Sequence, residues 1–346
     1  MSAERTLSEL ELNRALLARQ GLLERFPSAV PRTLERIGGL QAQYAPSMYV
    51  GLWSRMRDLA REDVTQALRR RSVVQATLMR VTIHLVARKD YWAFAIATRQ
   101  ARRTLWLRAL RGALQEAAMV DAAALVAERL AGTPTLHRKE IDELVGKQRA
   151  GGVGLWIDLV RVPPSGTWER RRADLFGLAE EWIGAPQLTA AEAVQQLVRR
   201  YLAGFGPASM TDIASYTGLA KRELAPSLEG LRLRRFRDAA GGELLDVARA
   251  PLPDPGTPAP VRFLPTWDAT LLVHARRTGL LPEQHRAKIF HTKNPHSLPT
   301  FLVDGVVVGT WRHRDGHIEL APFNRLDAAN LRALREEADR LAVFHA

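Results

Sequence analysis

Apolar residues at helical spacing open the chain. Leu10, Leu16 and Leu17 follow Thr6-Leu7-Ser8-Glu9, which reads as a capping box, and Leu34, Ile37 and Leu40 follow Pro31, a residue suited to a first helical turn. A third helix is predicted around Val64 to Arg70. The period then changes. Over Met79-Arg80-Val81-Thr82-Ile83-His84-Leu85-Val86 polar and apolar residues alternate, predicting a half-buried strand with Arg80, Thr82 and His84 on one face and Val81, Ile83 and Leu85 on the other. Helices followed by such a strand are the pattern of a winged helix-turn-helix.

The pattern recurs. A long helix over residues 90–111, capped by Asp90, carries Arg99, Arg102 and Arg103 at i, i+3, i+4, with Arg108 and Arg111 beyond. That basic face reads either as a solvated surface or as a contact for DNA. Thr135 starts a helix through Ile141 and Leu144, and Leu159 to Trp168 reads as strand, turn and strand, with Arg170, Arg171 and Arg172 just past it. A third instance begins at Thr189 and Ser209, runs through a helix around Lys221 to Leu231, and ends in two strands turning at Gly241-Gly242. Five prolines between Arg249 and Pro260 mark a linker. Beyond it, Asp304-Gly305 and Asp315-Gly316 each sit between strand-like runs, and a helix from Asp327 closes the chain.

The expected fold is therefore α+β and mainly helical. It comprises three tandem winged helix-turn-helix units (1–115, 116–185 and 186–248), a linker (249–260), then a small antiparallel sheet or barrel with a C-terminal helix (261–346).

Composition narrows the function classes. The 346 residues are 46% hydrophobic and 25% charged, contain no cysteine, and hold no run of about 20 apolar residues of the kind that spans a bilayer, so a soluble, cytoplasmic protein without disulfides or thiolate metal sites is expected. The net charge of +13 suits a partner rich in phosphate, although six lysines against 44 arginines also fit the product of a GC-rich genome. No phosphate loop, dinucleotide fingerprint, hydrolase elbow or zinc motif is present, and of the histidines His313 and His317 alone lie close together, without a third ligand; neither metal nor cofactor is expected.

What remains is Gln41-Ala42-Gln43. Pro46 lacks an N–H and biases Ala45 toward extended geometry, so the helix through Leu34, Ile37 and Leu40 is expected to end close to the two glutamines; in extended backbone residues i and i+2 point to the same side, so two amides can together hold one water or polar group. Taken alone, glutamines at a helix end and a histidine on a strand also have ordinary structural explanations.

The strings Gly39-Leu40-Gln41-Ala42-Gln43, Ser47 to Arg55, Arg80 to Val86, Pro163 to Arg171, Arg262 to Pro265, Asp268, and Val303-Asp304-Gly305 through Gly309-Thr310-Trp311 together resemble the winged-helix DNA glycosylases of the AlkZ/YcaQ superfamily. That resemblance covers almost the whole chain and implies three winged-helix units and a β-barrel around a DNA-sized channel. It further implies that Gln41 and Gln43 are catalytic, in the branch whose motif is Gln, an aliphatic residue, then Gln, as opposed to the branch with Asp in the last position. Members of this branch remove bulky N7-alkylguanine adducts left by DNA-alkylating natural products, some unhook interstrand crosslinks, and many protect an antibiotic producer. The expected activity is a monofunctional glycosylase acting as a monomer on double-stranded DNA carrying alkylated guanine, in base excision repair or self-resistance. Arg80, Thr82 and His84 are then expected near the lesion, Arg99, Arg102, Arg103, Arg170, Arg171 and Arg172 on phosphates, and Lys293 and His296 in a loop that probes the minor groove. A winged-helix regulator or architectural factor without catalysis is the alternative, against which the Gln-x-Gln motif argues.

Overall fold

Ser8 starts the first helix, α1 (Glu9–Arg19): its hydroxyl accepts the Glu11 N–H at 3.2 Å while the Glu11 carboxylate accepts the Ser8 N–H at 2.8 Å. The capping box thus lies two residues beyond the Thr6/Glu9 pair, and Thr6 bridges to Arg237 instead. The computed structural model describes residues 5–272, 274, 279–291 and 296–346.

Helix α2 (Val30–Ile37) stops at Gly38, and Leu40–Gln41 is already a short strand, β1. Pro46 does not end a helix; it sits in the first turn of α3 (Ala45–Trp53), where a missing N–H leaves no carbonyl unpaired. After α4 (Arg61–Arg69) come β2 (Val73–Thr77) and β3 (Ile83–Ala87). The alternating stretch from Met79 is strand only in its second half. Met79–Val81 is a 3-10 turn, with Arg80 at φ 53° and Val81 at φ 59°, closed by the Leu78 N–H donating to the Thr82 carbonyl at 2.9 Å. Arg80, Thr82 and His84 therefore do not share a strand face: reversing the chain between β2 and β3 overrides the two-residue period.

Next come α5 (Arg88–Ala109), α6 (Glu116–Ala131), β4 (Leu136–His137), α7 (Arg138–Val145), α8 (Lys147–Ala150), β5 (Leu159–Arg161), β6 (Leu175–Leu178) and α9 (Ala179–Ile183). Helix α5 begins at Arg88, two residues before the expected start, so Asp90 lies inside its first turn and Ala87 is at the cap. All six strands so far join in one antiparallel sheet of order β1-β3-β2-β5-β6-β4, in which Gln75 and Ala76 of β2 pair with Arg161 and Val160 of β5.

The third segment follows its local signals closely. Thr189 and Ser209 cap α10 (Ala190–Phe205) and α11 (Met210–Thr217) with boxes to Glu192 and Asp212, Gly218 at φ 77° turns the chain into α12 (Lys221–Glu229), and β7 (Leu233–Arg237) pairs with β8 (Glu243–Val247). Residues 249–260 carry no regular element. Then come β9 (Arg262–Leu264), α13 (Ala269–Leu272), α14 (Glu283–Ile289), β10 (Phe290–His291), β11 (His296–Ser297), β12 (Thr300–Val303), β13 (Val306–Arg314), β14 (His317–Pro322) and α15 (Ala328–His345). Strands β14-β13-β12-β9 form an open sheet, so no closed barrel exists among the described residues. The class is α+β and mainly helical, as expected.

Four apolar clusters hold the described elements, and two of them frame the sheet edge that carries Gln41. In one, Tyr201 and Phe205 of α10 and Tyr216 of α11 pack with Phe94 of α5, Leu16 and Leu17 of α1, and Val86 of β3. The other joins α2, α3 and α4 to the C-terminal sheet through Leu52, Phe263, Phe301 and Leu341. The two clusters meet along β3, where Val86 faces the first and Leu85 joins Leu40 of β1 in the second, beside Gln41.

Candidate active site

Two consecutive glycines let the chain leave α2 and enter the sheet edge. Gly39 has φ 83°, and a Cβ there would stand 2.9 Å from Val86 Cγ1 and 3.1 Å from the Leu85 carbonyl oxygen. Close backbone approach is thus a condition of β1 pairing with β3. Gly39→Ala is expected to destabilise the fold by about 1–3 kcal/mol through the left-handed φ and the clash together. Urea unfolding checks this, and a midpoint equal to wild type would refute it. The turn is also held from outside: the Tyr216 hydroxyl donates to the Gly38 carbonyl at 2.8 Å, and Gln20 Nε2 donates to the carbonyls of Ile37 and Gly204 at 3.2 and 2.8 Å.

In the resulting ladder Gln41 lies opposite His84, and Leu40 opposite Leu85. Directly opposed residues of an antiparallel pair project to the same side with Cβ atoms about 5 Å apart, so the Gln41 amide and the His84 imidazole are neighbours on one face. The ladder continues one step, with the Ala42 N–H donating to the Ile83 carbonyl at 2.7 Å. At the next step the side chain of Gln43 replaces a strand partner: its Oε1 accepts the Ile83 N–H at 3.0 Å. The two amides therefore have different duties. Gln43 is exposed but anchored through its carbonyl oxygen, whereas Gln41 is 8% exposed and its amide has no hydrogen-bond partner among the described residues.

His84 is buried, and burial, with Arg80 next and Arg102 adding to it, lowers its pKa from 6.5 to about 3. It is neutral at physiological pH. Its Nδ1 lies 3.0 Å from the Thr82 carbonyl, which can only accept, so the proton sits on Nδ1 and Nε2 keeps its lone pair. A free amide beside a neutral imidazole acceptor can hold and orient a water; neither group at that pKa is a strong base.

The remaining expected residues are placed as follows. Arg80 donates to the Tyr216 carbonyl at 2.8 Å, and the Thr82 hydroxyl donates to the Met79 carbonyl at 3.0 Å. Much of the basic face of α5 turns inward: Arg102 is 3% exposed and donates to the carbonyls of Thr77 and Ala95, Arg103 donates to Leu155, and Arg99 pairs with Asp158 at 2.7 Å. Arg102 is thus a buried strut and does not present its guanidinium to a phosphate at the surface. Arg170 and Arg172 are exposed with Asp174 as an ion partner at 3.5 and 3.3 Å, and exposed Arg171 donates to the Tyr44 hydroxyl at 3.1 Å. Lys293 lies outside the described residues, and His296 is described only as a backbone position of β11. His313 stacks on His345 with ring centroids 4.4 Å apart, away from any histidine pair with His317. Among the described residues no group of three potential ligands is arranged for a metal, and no helix is long and apolar enough to cross a membrane.

Beside the motif, Tyr44, Ser47, Trp168, Arg171, Trp311 and His345 line a cleft of about 280 Å³. Sequence reasoning did not single out Ile83, Tyr216 or Ser47. Tyr216 lies 178 positions from Gly38, and no local signal connects them.

Comparison with known proteins shows what the chain as a whole is similar to. A family model described as "DNA glycosylase AlkZ-like" matches residues 34–344. Among solved structures, the Streptomyces sahachiroi DNA glycosylase AlkZ shares the fold, with a TM-score of 0.78 at 19% identity over 98% of this chain and 97% of that one. No curated protein matches. With the family model spanning Gln41, Gln43 and His84 together with the sheet that pairs them, the chain belongs to the AlkZ-like family of DNA glycosylases.

Proposed function

We propose that this glycosylase hydrolyses the N-glycosidic bond of bulky, cationic N7-alkylguanine adducts, with Gln41 and Gln43 as its catalytic residues. The observation that carries the reading is the chemistry of the motif: two amides beside a histidine held neutral, with no carboxylate among the paired residues. Ordinary glycoside hydrolysis needs one group to protonate the leaving group and another to activate water. An N7-alkylguanine already carries positive charge, so its leaving group needs no acid, and departure leaves an oxocarbenium-like sugar that captures a positioned water. The Gln41 carbonyl oxygen orients that water and places negative dipole density beside the developing charge, while Gln43 fixes the backbone that carries it. The aromatic cleft next to Tyr44 gives a substituent room outside the stack. Neutral, undamaged guanine gains nothing from such a site.

No lysine occurs among Gln41, Gln43 and their strand partners, so the proposed product is an abasic site in an intact strand. The test is a duplex carrying N7-alkylguanine beside an unmodified one: alkali-labile sites should appear in the first and not in the second, with no nicks before alkali. Equal alkali-labile sites in both would refute the substrate class. A pH prediction follows as well. Because His84 is neutral above about pH 3, the single-turnover rate is expected to stay flat between about pH 5 and pH 7, where an ordinary histidine titrates. An inflection near 6.5 that disappears in His84→Gln would overturn positioning without proton abstraction.

A further inference from the structure

Between α5 and the α11–α12 turn lies a cleft of about 520 Å³ whose lining includes Arg80, Arg102, Arg108, Arg222, Gln100 and Glu223. Its charges differ in what they already do. Arg80 and Arg102, on the inner wall, spend guanidinium N–H groups on backbone carbonyls, although Arg102 Nε is buried with no hydrogen-bond partner. Arg108 and Arg222, at the outer wall, are exposed, and their guanidinium groups have no hydrogen-bond or ion partner among the described residues. The single carboxylate in the lining, Glu223, accepts the Ala220 N–H at 2.7 Å and so caps the start of α12. A cleft whose outer wall carries two unengaged guanidinium groups, with two further arginines behind them held by backbone carbonyls, suits an anion.

Position identifies the anion. The turn at Gly218 makes α11 and α12 a helix-turn-helix, and the cleft opens at the start of the second helix, where such motifs meet the DNA backbone. Its inner wall reaches the catalytic ladder, since Arg80 and Arg102 both act on His84, which is paired with Gln41. We infer that this cleft is a phosphodiester site in which Arg108 and Arg222 hold the DNA backbone close to the lesion and set its register against Gln41. It rests on DNA being the ligand and not on the lesion class proposed above.

The test uses the full-length protein and undamaged duplexes of two unrelated sequences, with affinity measured from 50 to 200 mM salt. Arg108→Gln/Arg222→Gln should reduce the slope of log K against log salt by about 2, one for each lost phosphate contact, and weaken both duplexes alike. Arg335→Gln, an exposed arginine on α15 outside the cleft, is the charge-loss control and should leave the slope within a few tenths of wild type. Both substituted positions are exposed, and matching thermal unfolding curves will confirm that the fold is kept. A slope equal to that of the control overturns the inference. So does a loss confined to one of the two sequences, which would mean that the arginines read bases.

Discussion

Replacing both glutamines by alanine is expected to abolish base release while leaving DNA binding intact. Each amide contributes differently, and the single variants should separate them. Gln41 has no hydrogen-bond partner among the described residues, so Gln41→Ala removes a group that orients water without breaking a bond of the fold. Its rate should fall on the order of 10²-fold, the size expected when one preorganised dipole is lost, with little change in melting temperature. Gln43→Ala removes the acceptor of the Ile83 N–H and leaves that donor to solvent or unpaired, so it should lose rate and about 1 kcal/mol of stability together. Release of alkylated guanine under single-turnover conditions, beside affinity for the undamaged duplex, measures this. Unchanged release in the double variant would remove the catalytic assignment, and retained affinity would then favour the DNA-binding alternative.

Arg55→Met is expected to be the most destabilising single substitution, by about 3–5 kcal/mol. Arg55, at the end of the segment that α3 begins, and Asp268, before α13, are both 0% exposed at their side chains, and they meet in a two-pronged contact of 2.8 and 3.0 Å. The remaining capacity is nearly used: Arg55 also donates to the Gly51 carbonyl at 2.9 Å, and Asp268 accepts the Thr270 N–H and hydroxyl at 3.0 and 2.8 Å. Deleting the cation leaves a buried carboxylate without its counter-charge. Removing both charges in Arg55→Met/Asp268→Leu should recover a large part of the loss, because the uncompensated charge, not the missing attraction, dominates the cost. Denaturant unfolding of the two singles and the double forms the cycle, and additive losses would contradict this account. Since the pair ties α3 to the C-terminal part of the chain, the singles should also blunt catalysis.

What could be read from sequence divides along the range of the forces involved. The helix starts at Thr189 and Ser209 and the turns Asp304-Gly305 and Asp315-Gly316 are set within a few residues, and the structure has each of them where the pattern placed it. Pro46 was ambiguous by nature. A proline both ends one helix and suits the first turn of the next, and only Gly38-Gly39, with the apolar run from Met48 to Trp53, distinguishes the two. Arg80 shows the opposite failure: alternation is a local signal, but the hairpin turn that displaces Arg80 is fixed by β2 pairing with β3. The inward rotation of Arg99, Arg102 and Arg103 was out of reach for the same reason, since Asp158, Thr77 and Leu155, which hold them, are distant in the chain. For the site itself, the motif was legible, but the pairing of Gln41 with His84 and the anchoring of Gln43 at Ile83 depend on strand register.

The six-stranded sheet has a mechanical consequence. Because β2 of the first segment hydrogen-bonds to β5 of the second, these two segments cannot swing about a linker without breaking ladder bonds and exposing two strand edges. Hinge closure between them is therefore closed off as a way of gripping a substrate. The strands beside the glutamines are thus fixed against the second segment before any duplex arrives. A duplex that must bend to reach them would then meet the cost of its own stiffness, with no closing motion between these two segments to offset it.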